Sequence, residues 1–201
     1  MSSGVSTAGK RELKKDEVRK SVFGVAMDLF RAKGFDETGI EEIATATGIS
    51  PRTLFRHFPT KADIAFVPAW DSYGLLRQRV RSRPPSQSLF QAAETVALEH
   101  ADSLEGQRER FLDVARLRAK SSALKQRRAY LLQVEFPEGV ALDFAARDGL
   151  TEPGPLHVVA ARWLLCVLSI CLDAWIVDSG RTLHEHTSEL IELIKQGFAA
   201  V

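Results

Sequence analysis

The segment TGIEEIATATGISPRTLFRHF, Thr38 to Phe58, lets a helix start, stop and start again with room for only a tight turn between. Thr38 and Glu41 have the T-x-x-E spacing of a capping box, which would open the first of the two helices by satisfying free amides. Ile40, Ile43 and Ala44 give that helix one apolar stripe, with Ala44 small enough for close helix approach, and Gly48 supplies the positive φ that ends it. Ser50 is placed to accept from the amide of Arg52 or Thr53, and Pro51 fits the first helical position, where no amide is needed. On the helix that follows, Leu54 and Phe58 share the inner side, while Ser50, Pro51, Arg52, Thr53 and Arg56 face out near its N-terminal end. Helices this short are stable only when packed on another element.

The rest of the chain supports an all-α fold. Apolar residues recur at three and four, and neither sustained period-2 alternation nor an Asn-Gly hairpin occurs. Val18, Val22, Val25, Ala26, Leu29 and Phe30 line one face of a first helix expected over about Lys14 to Lys33, with Gly34 as its C-cap. Thr60 caps a fourth helix that Pro68 is expected to kink, and RSRPPSQS, Arg81 to Ser88, reads as a linker. Further helices are expected near 87–103, 107–121, 123–147 with an interruption at Pro137, 156–177 and 182–198. The organisation read from these elements is a disordered arm over 1–12, a helix-turn-helix domain over 13–60 and a helical body over 61–201.

Composition excludes several classes. With 45% hydrophobic and 26% charged residues in a chain of 201, the protein has enough apolar material for a core. The net charge of +1 decides nothing about nucleic acid, because a basic face can hide in a neutral total. Cys166 and Cys171 lie in an apolar run and read as reduced, buried thiols. That run, WLLCVLSICL, is bracketed by Arg162 and Asp173 and is too short for a bilayer, so it reads as a core helix, and no membrane partner is expected. The N-terminus has no apolar signal core, which gives a cytoplasmic expectation. His184 and His186 are two apart and point in nearly opposite directions on a helix, so no metal site is expected. With neither a C-x-x-C, a G-x-S-x-G nor a phosphate-cradling glycine loop, the chain does not read as an enzyme, and no cofactor is expected.

Helix-turn-helix geometry alone is a common packing device, but an exposed helix N-terminus flanked by arginines suits phosphate and guanine. Lys61, in the first turn of the next helix, is electrostatically odd there unless a phosphate lies near. The stretch TGIEEIATATGISPRTLFRHFPTKADI, with the preceding AMDLFRAKGFDE, resembles the DNA-binding domain of TetR-family transcriptional regulators. The resemblance implies a three-helix DNA-binding head, a helical body that binds a small effector, and a homodimer through the last two long helices. It implies a ligand-released repressor on a near-palindromic double-stranded operator. Carried over by position, Thr38 would bind backbone phosphate, Ser50, Pro51, Arg52 and Thr53 would enter the groove, and His57 and Lys61 would hold phosphates. Phe55 stands where the family usually has tyrosine, so van der Waals contact must replace a hydroxyl's hydrogen bond. Lys10, Arg11, Lys14, Lys15, Arg19 and Lys20 would track phosphates beside such a head.

Two further groups are open at this stage. Arg77, Arg79, Arg81 and Arg83 form either a solvated helix face, the favoured reading, or a site for an anionic ligand. Trp70, Tyr73, Phe90, Phe111, Tyr130 and Trp163 could line an effector cavity, with Arg118 or His100 as polar anchor, for a largely apolar, acyl, acyl-CoA-like or aromatic compound. Aromatics at helical spacing also form plain core, and Trp163 and Trp175 could serve a dimer interface instead.

Overall fold

The computed structural model describes residues 7–197, with side chains from residue 16 onward. The described residues hold eleven α-helices and no strand. They are α1 Thr7–Lys33, α2 Ile40–Thr47, α3 Pro51–His57, α4 Lys61–Ala65, α5 Val67–Ser82 and α6 Leu89–Leu104, then α7 Arg108–Lys120, α8 Ser122–Tyr130, α9 Phe136–Arg147, α10 Pro155–Val177 and α11 Leu183–Lys195. They fall into two compact units: residues up to Ala69 with Asp113–Lys125, and Trp70–Leu112 with the chain from Gln126 onward.

In the first unit, Val22, Ala26, Met27 and Phe30 form the buried face of α1. α2 and α4 pack on α1 and α3 packs on α2, and Ile43 and Ala44 of α2, Leu54 of α3 and Ile64 of α4 are each nearly or wholly buried. Removing a side chain such as Leu54, fully buried, would cost about 2–5 kcal/mol. α1 begins at Thr7, well before Lys14, so the expected arm is helical over 7–12; residues 1–6 lie outside the described residues. Ala8, Lys10, Arg11, Glu12 and Leu13 are strong helix formers, and a helix once nucleated propagates through them.

The helix around Pro68 is broken, not kinked. α4 ends at Ala65 with Phe66 as its C-cap, and Pro68 sits in the first turn of α5, where its missing amide costs nothing. Thr60 caps α4 with Asp63 in a reciprocal capping box.

The second unit is built around α10, which packs on α6, α9 and α11. α10 is long and apolar enough to cross a membrane by length and composition, but its inner face, including Ala161, Leu164, Val167, Cys171 and Trp175, is core. Trp175 is 2% exposed and so serves packing, not an interface. Pro137 does not interrupt the chain's helical path. A π-helical turn, Leu131–Glu135, precedes α9, and Pro137 falls in the first turn of α9. The Gln133 carbonyl, four residues before the proline and deprived of its usual donor, accepts from Arg162 Nη1 at 3.3 Å.

Candidate nucleic-acid interface

The turn between α2 and α3 has the local chemistry expected of it. Gly48 adopts φ 70°, and its amide and that of Ile49 close the end of α2 onto the Ala44 and Thr45 carbonyls. Ser50 is the N-cap of α3, accepting from the Thr53 amide at 3.2 Å, with Pro51 in the first turn. Its hydroxyl also donates to Thr53 Oγ1 at 3.0 Å, which fixes both side chains at the head of the helix. Such a cap contributes about 1 kcal/mol.

The seven residues of α3 sort cleanly by direction. Leu54 is buried, as is Phe58 just beyond the helix, where the Arg19 guanidinium lies 5.3 Å from the ring centroid. Ser50, Pro51, Arg52, Phe55 and Arg56 are exposed, and Thr53 and His57 are half-buried. Phe55 is 48% exposed, a large apolar side chain held in solvent between two arginines. Glu42 pairs with Lys33, which partly neutralises the acidic start of α2 and leaves Glu41 exposed. Lys20 is exposed on α1, whereas the side chains of Lys10, Arg11, Lys14 and Lys15 lie outside the described residues.

Two side chains expected at phosphates, Thr38 and Lys61, hold partners within the chain. Thr38 does not cap α2: Gly39 is the N-cap residue, with no side-chain bond, and the capping box with Glu41 does not form. Thr38 is 1% exposed, and its hydroxyl donates to the Gly34 carbonyl at 2.7 Å. It closes the turn after α1, because a carbonyl freed at the end of that helix is nearer than a free amide of α2. Lys61 also has an internal explanation. Its ammonium donates to the carbonyls of Phe35 at 2.7 Å, Thr38 at 3.0 Å and Asp36 at 3.4 Å, and lies over the Phe35 ring. Three carbonyl dipoles offset the unfavourable helix end, so no phosphate is needed to place the charge there.

The expected effector residues meet in two aromatic groups of the second unit. Trp70, Tyr73 and Phe136 form an aromatic cluster, with Tyr73 and Phe136 stacked at 4.0 Å and Trp70 edge-on to both. Tyr73 Oη donates to the Phe136 carbonyl at 3.1 Å, and burial pushes its phenol up to about 12. Trp163 instead packs on Phe90, with ring centroids 4.8 Å apart. Phe111 is buried on α7, and Arg118 belongs to the first unit. A cleft of about 640 Å³ opens in the first unit between the end of α1, the turn after it and the second half of α7. Its walls include Phe30, Phe35, Leu117 and Lys120, and none of the expected effector residues. It unites segments more than eighty positions apart, which no local pattern signals.

The arginines of α5 and Arg83 just beyond it hold carboxylate or imidazole partners within the chain, although Arg81 stays exposed. Arg77 grips Asp143 with Nε at 2.5 Å and Nη2 at 3.0 Å, and Arg81 Nε reaches the same carboxylate at 2.6 Å. Arg83 pairs with Glu99 at 3.0 Å. Arg79 Nη1 donates to His100 Nδ1 at 3.1 Å, so His100 carries its proton on Nε2 and donates to Ser72 Oγ at 2.7 Å. Burial, and then the charge of Arg79, lower the His100 pKa to about 3, which makes it a neutral strut in place of an anchor for an anion. Other local readings also change. Cys166 is exposed while Cys171 is buried, and His184 pairs with Asp102 at 2.8 Å. His157 Nδ1 accepts from the Gly154 amide and Nε2 faces Asp148. Burial would raise the Asp148 pKa, but the hydrogen bonds from Arg147 and His157 hold it below the usual carboxylate value.

Residues 23–66, which span the α2–turn–α3 unit and its supports, match the family model for bacterial regulatory proteins of the tetR family. These residues thus have the form of that family's DNA-binding domain. The chain is 34% identical over 148 residues to the HTH-type transcriptional regulator TcmR of Streptomyces glaucescens, a match covering 71% of this chain and 65% of TcmR. It is 37% identical over 57 residues to RutR of Escherichia coli strain K12, covering 28% of this chain and 27% of RutR. The chain thus spans less than two thirds of the length of these curated relatives. Among solved structures, it is similar to Thermus thermophilus FadR, a TetR-family repressor in complex with lauroyl-CoA, at TM-score 0.55 and 22% identity over 91% of this chain and 96% of that one. NalD of Pseudomonas aeruginosa gives TM-score 0.54 and 21% identity over 92% and 96%. These likenesses place an N-terminal helix-turn-helix and a helical C-terminal region in one fold.

Proposed function

We propose that the protein is a sequence-specific DNA-binding transcriptional regulator whose recognition helix is α3. The observation that carries this reading is the sorting of α3: it buries Leu54 and turns Pro51, Arg52, Phe55 and Arg56 to solvent from a capped, proline-started N-terminus. Arg52 is the base-reading residue, through paired hydrogen bonds to guanine. Phe55 supplies apolar contact to a thymine methyl or sugar, and Arg56 and His57 supply charge or hydrogen bonds to the backbone. Thr38 and Lys61 support the head from within instead of touching phosphate.

The active form in this reading is a cytoplasmic homodimer through α10 and α11, bound to the nucleoid at a near-palindromic operator. Its half-site centres lie about 34–36 Å apart, one helical turn. It is a repressor released by a small, largely apolar effector, with the Trp70–Tyr73–Phe136 cluster as the contact surface. Release requires that the effector bind more tightly to the DNA-incompetent state than to the competent one.

The test is a salt-titrated anisotropy measurement on DNA selected by the protein from a random pool. Arg52→Ala should lose about 1–3 kcal/mol of sequence-specific binding and relax the base preference at one position of each half-site. Unchanged affinity and selectivity would remove Arg52 from the interface.

A further inference from the structure

The two helices of the turn unit differ in what they offer a duplex. α3 presents Arg52 and Arg56 to solvent, whereas α2 contains no basic residue. The hydroxyls of α2 are turned on its own backbone: Thr45 Oγ1 donates to the Glu41 carbonyl at 2.8 Å and Thr47 Oγ1 to the Ile43 carbonyl at 2.7 Å. Of its two carboxylates, Glu42 is half-buried and paired with Lys33, so the opposite charges largely cancel at a distance. Glu41 is exposed and has no cation paired with it among the described residues.

The Glu41 carboxylate stands at the head of α2. Its Oε2 lies 3.8 Å from where a Cβ on Gly39 would be, and Gly39, the N-cap residue, has no side chain of its own to cap the helix. In a helix-turn-helix the first helix crosses the sugar-phosphate backbone while the second enters the groove. That backbone carries one negative charge per about 1.7 Å of duplex axis. The helix that crosses it here brings an uncompensated carboxylate and no free side-chain donor, the reverse of a phosphate grip.

We infer that Glu41 is a repulsive determinant of DNA binding, opposing the phosphate backbone from the head of α2 and holding down sequence-independent affinity. The inference rests on the reading of α3 as the recognition helix and adds the part played by its partner helix. Non-specific binding comes almost wholly from neutralised phosphates, so an opposing charge at the crossing point acts on every sequence alike. A uniform penalty sets a threshold: duplexes that also gain base contacts from α3 stay bound, and the rest are released. A unit charge several ångströms from a phosphate at a solvated surface changes the binding constant about three- to tenfold.

Fluorescence anisotropy of the full chain on two duplexes tests it, one selected by the protein from a random pool and one with that sequence scrambled. Glu41→Gln should bind both about three- to tenfold more tightly than wild type at about 0.05 M salt, and the gain should shrink near 0.3 M, where screening is stronger. Glu41→Lys should tighten both further. Glu152→Gln makes the same change in net charge at an exposed position of the second unit, in the loop before α10, and should leave both affinities within about twofold of wild type. A Glu41→Gln chain that matches Glu152→Gln, or that binds more weakly than wild type, overturns the inference and leaves α3 as the reader. Tightening confined to the selected duplex overturns it too, because Glu41 would then face a base and not the backbone. Wild-type chain that enriches no sequence from the pool overturns the recognition-helix reading itself, and this inference with it.

Discussion

Lowering the pH should weaken this fold through His100, by an amount that its surroundings set. In the folded chain the imidazole is 3% exposed and neutral, accepting from Arg79 and donating to Ser72, and its pKa is lowered to about 3 from an ordinary 6.5. In the unfolded chain it takes a proton near 6.5. Between those two values unfolding takes up a proton, so stability is fully present above 6.5 and falls as pH drops towards 3, by about 1.4 kcal/mol per pH unit at the steepest. From pH 7 to pH 5 the loss from this one group is about 2 kcal/mol, which for a chain of this size lowers Tm by roughly 4–8 °C. Thermal and urea unfolding followed by circular dichroism at pH 7, 6 and 5 measures it, in parallel on His100→Gln. Glutamine can accept from Arg79 and donate to Ser72 but does not titrate. The variant should be less stable than wild type at pH 7 by about 1–2 kcal/mol, through imperfect replacement of buried hydrogen bonds. The gap should narrow or close by pH 5. Parallel pH profiles for the two proteins would refute the assignment, because other paired groups, Asp148 among them, act equally in both.

Two glycines should respond to alanine with opposite signs. A Cβ on Gly139 would stand 2.0 Å from Tyr73 Oη and 3.2 Å from its Cζ, so Gly139→Ala should displace the stacked tyrosine, break its bond to the Phe136 carbonyl and cost about 1–3 kcal/mol in urea unfolding. Gly24, exposed in the middle of α1 with nothing within 4 Å of a built Cβ, should gain about 0.5–1 kcal/mol in the same assay when replaced by alanine.

What was legible in the sequence was what neighbouring residues decide among themselves. The Ser50 cap and the Gly48 turn are closed by groups a few positions away, and the direction of Leu54 and Phe58 against Arg52 and Arg56 follows from helical geometry. The same short-range logic failed at Thr38, where two local partners competed: the Gly34 carbonyl behind it won over the amides ahead, because α2 begins at Ile40. At Pro137 the local rule was sound, but the chain met it with a π turn and a distant donor, Arg162.

Only the tertiary structure decided the partners of the buried charges. Lys61 looks misplaced until the carbonyls of Phe35 and Thr38 come back to it, and the α5 arginines look solvated until Asp143 and Glu99 arrive from other helices. Cys166 and Cys171 share one apolar run, and which of them stays in solvent depended on where α11 and α6 packed against α10. The physical reason is one of range. Helix formation, capping and turn chemistry act within about four residues, so an isolated sequence states them. Ion pairing and burial act between segments the sequence leaves far apart, and they exist only once packing has brought those segments into contact.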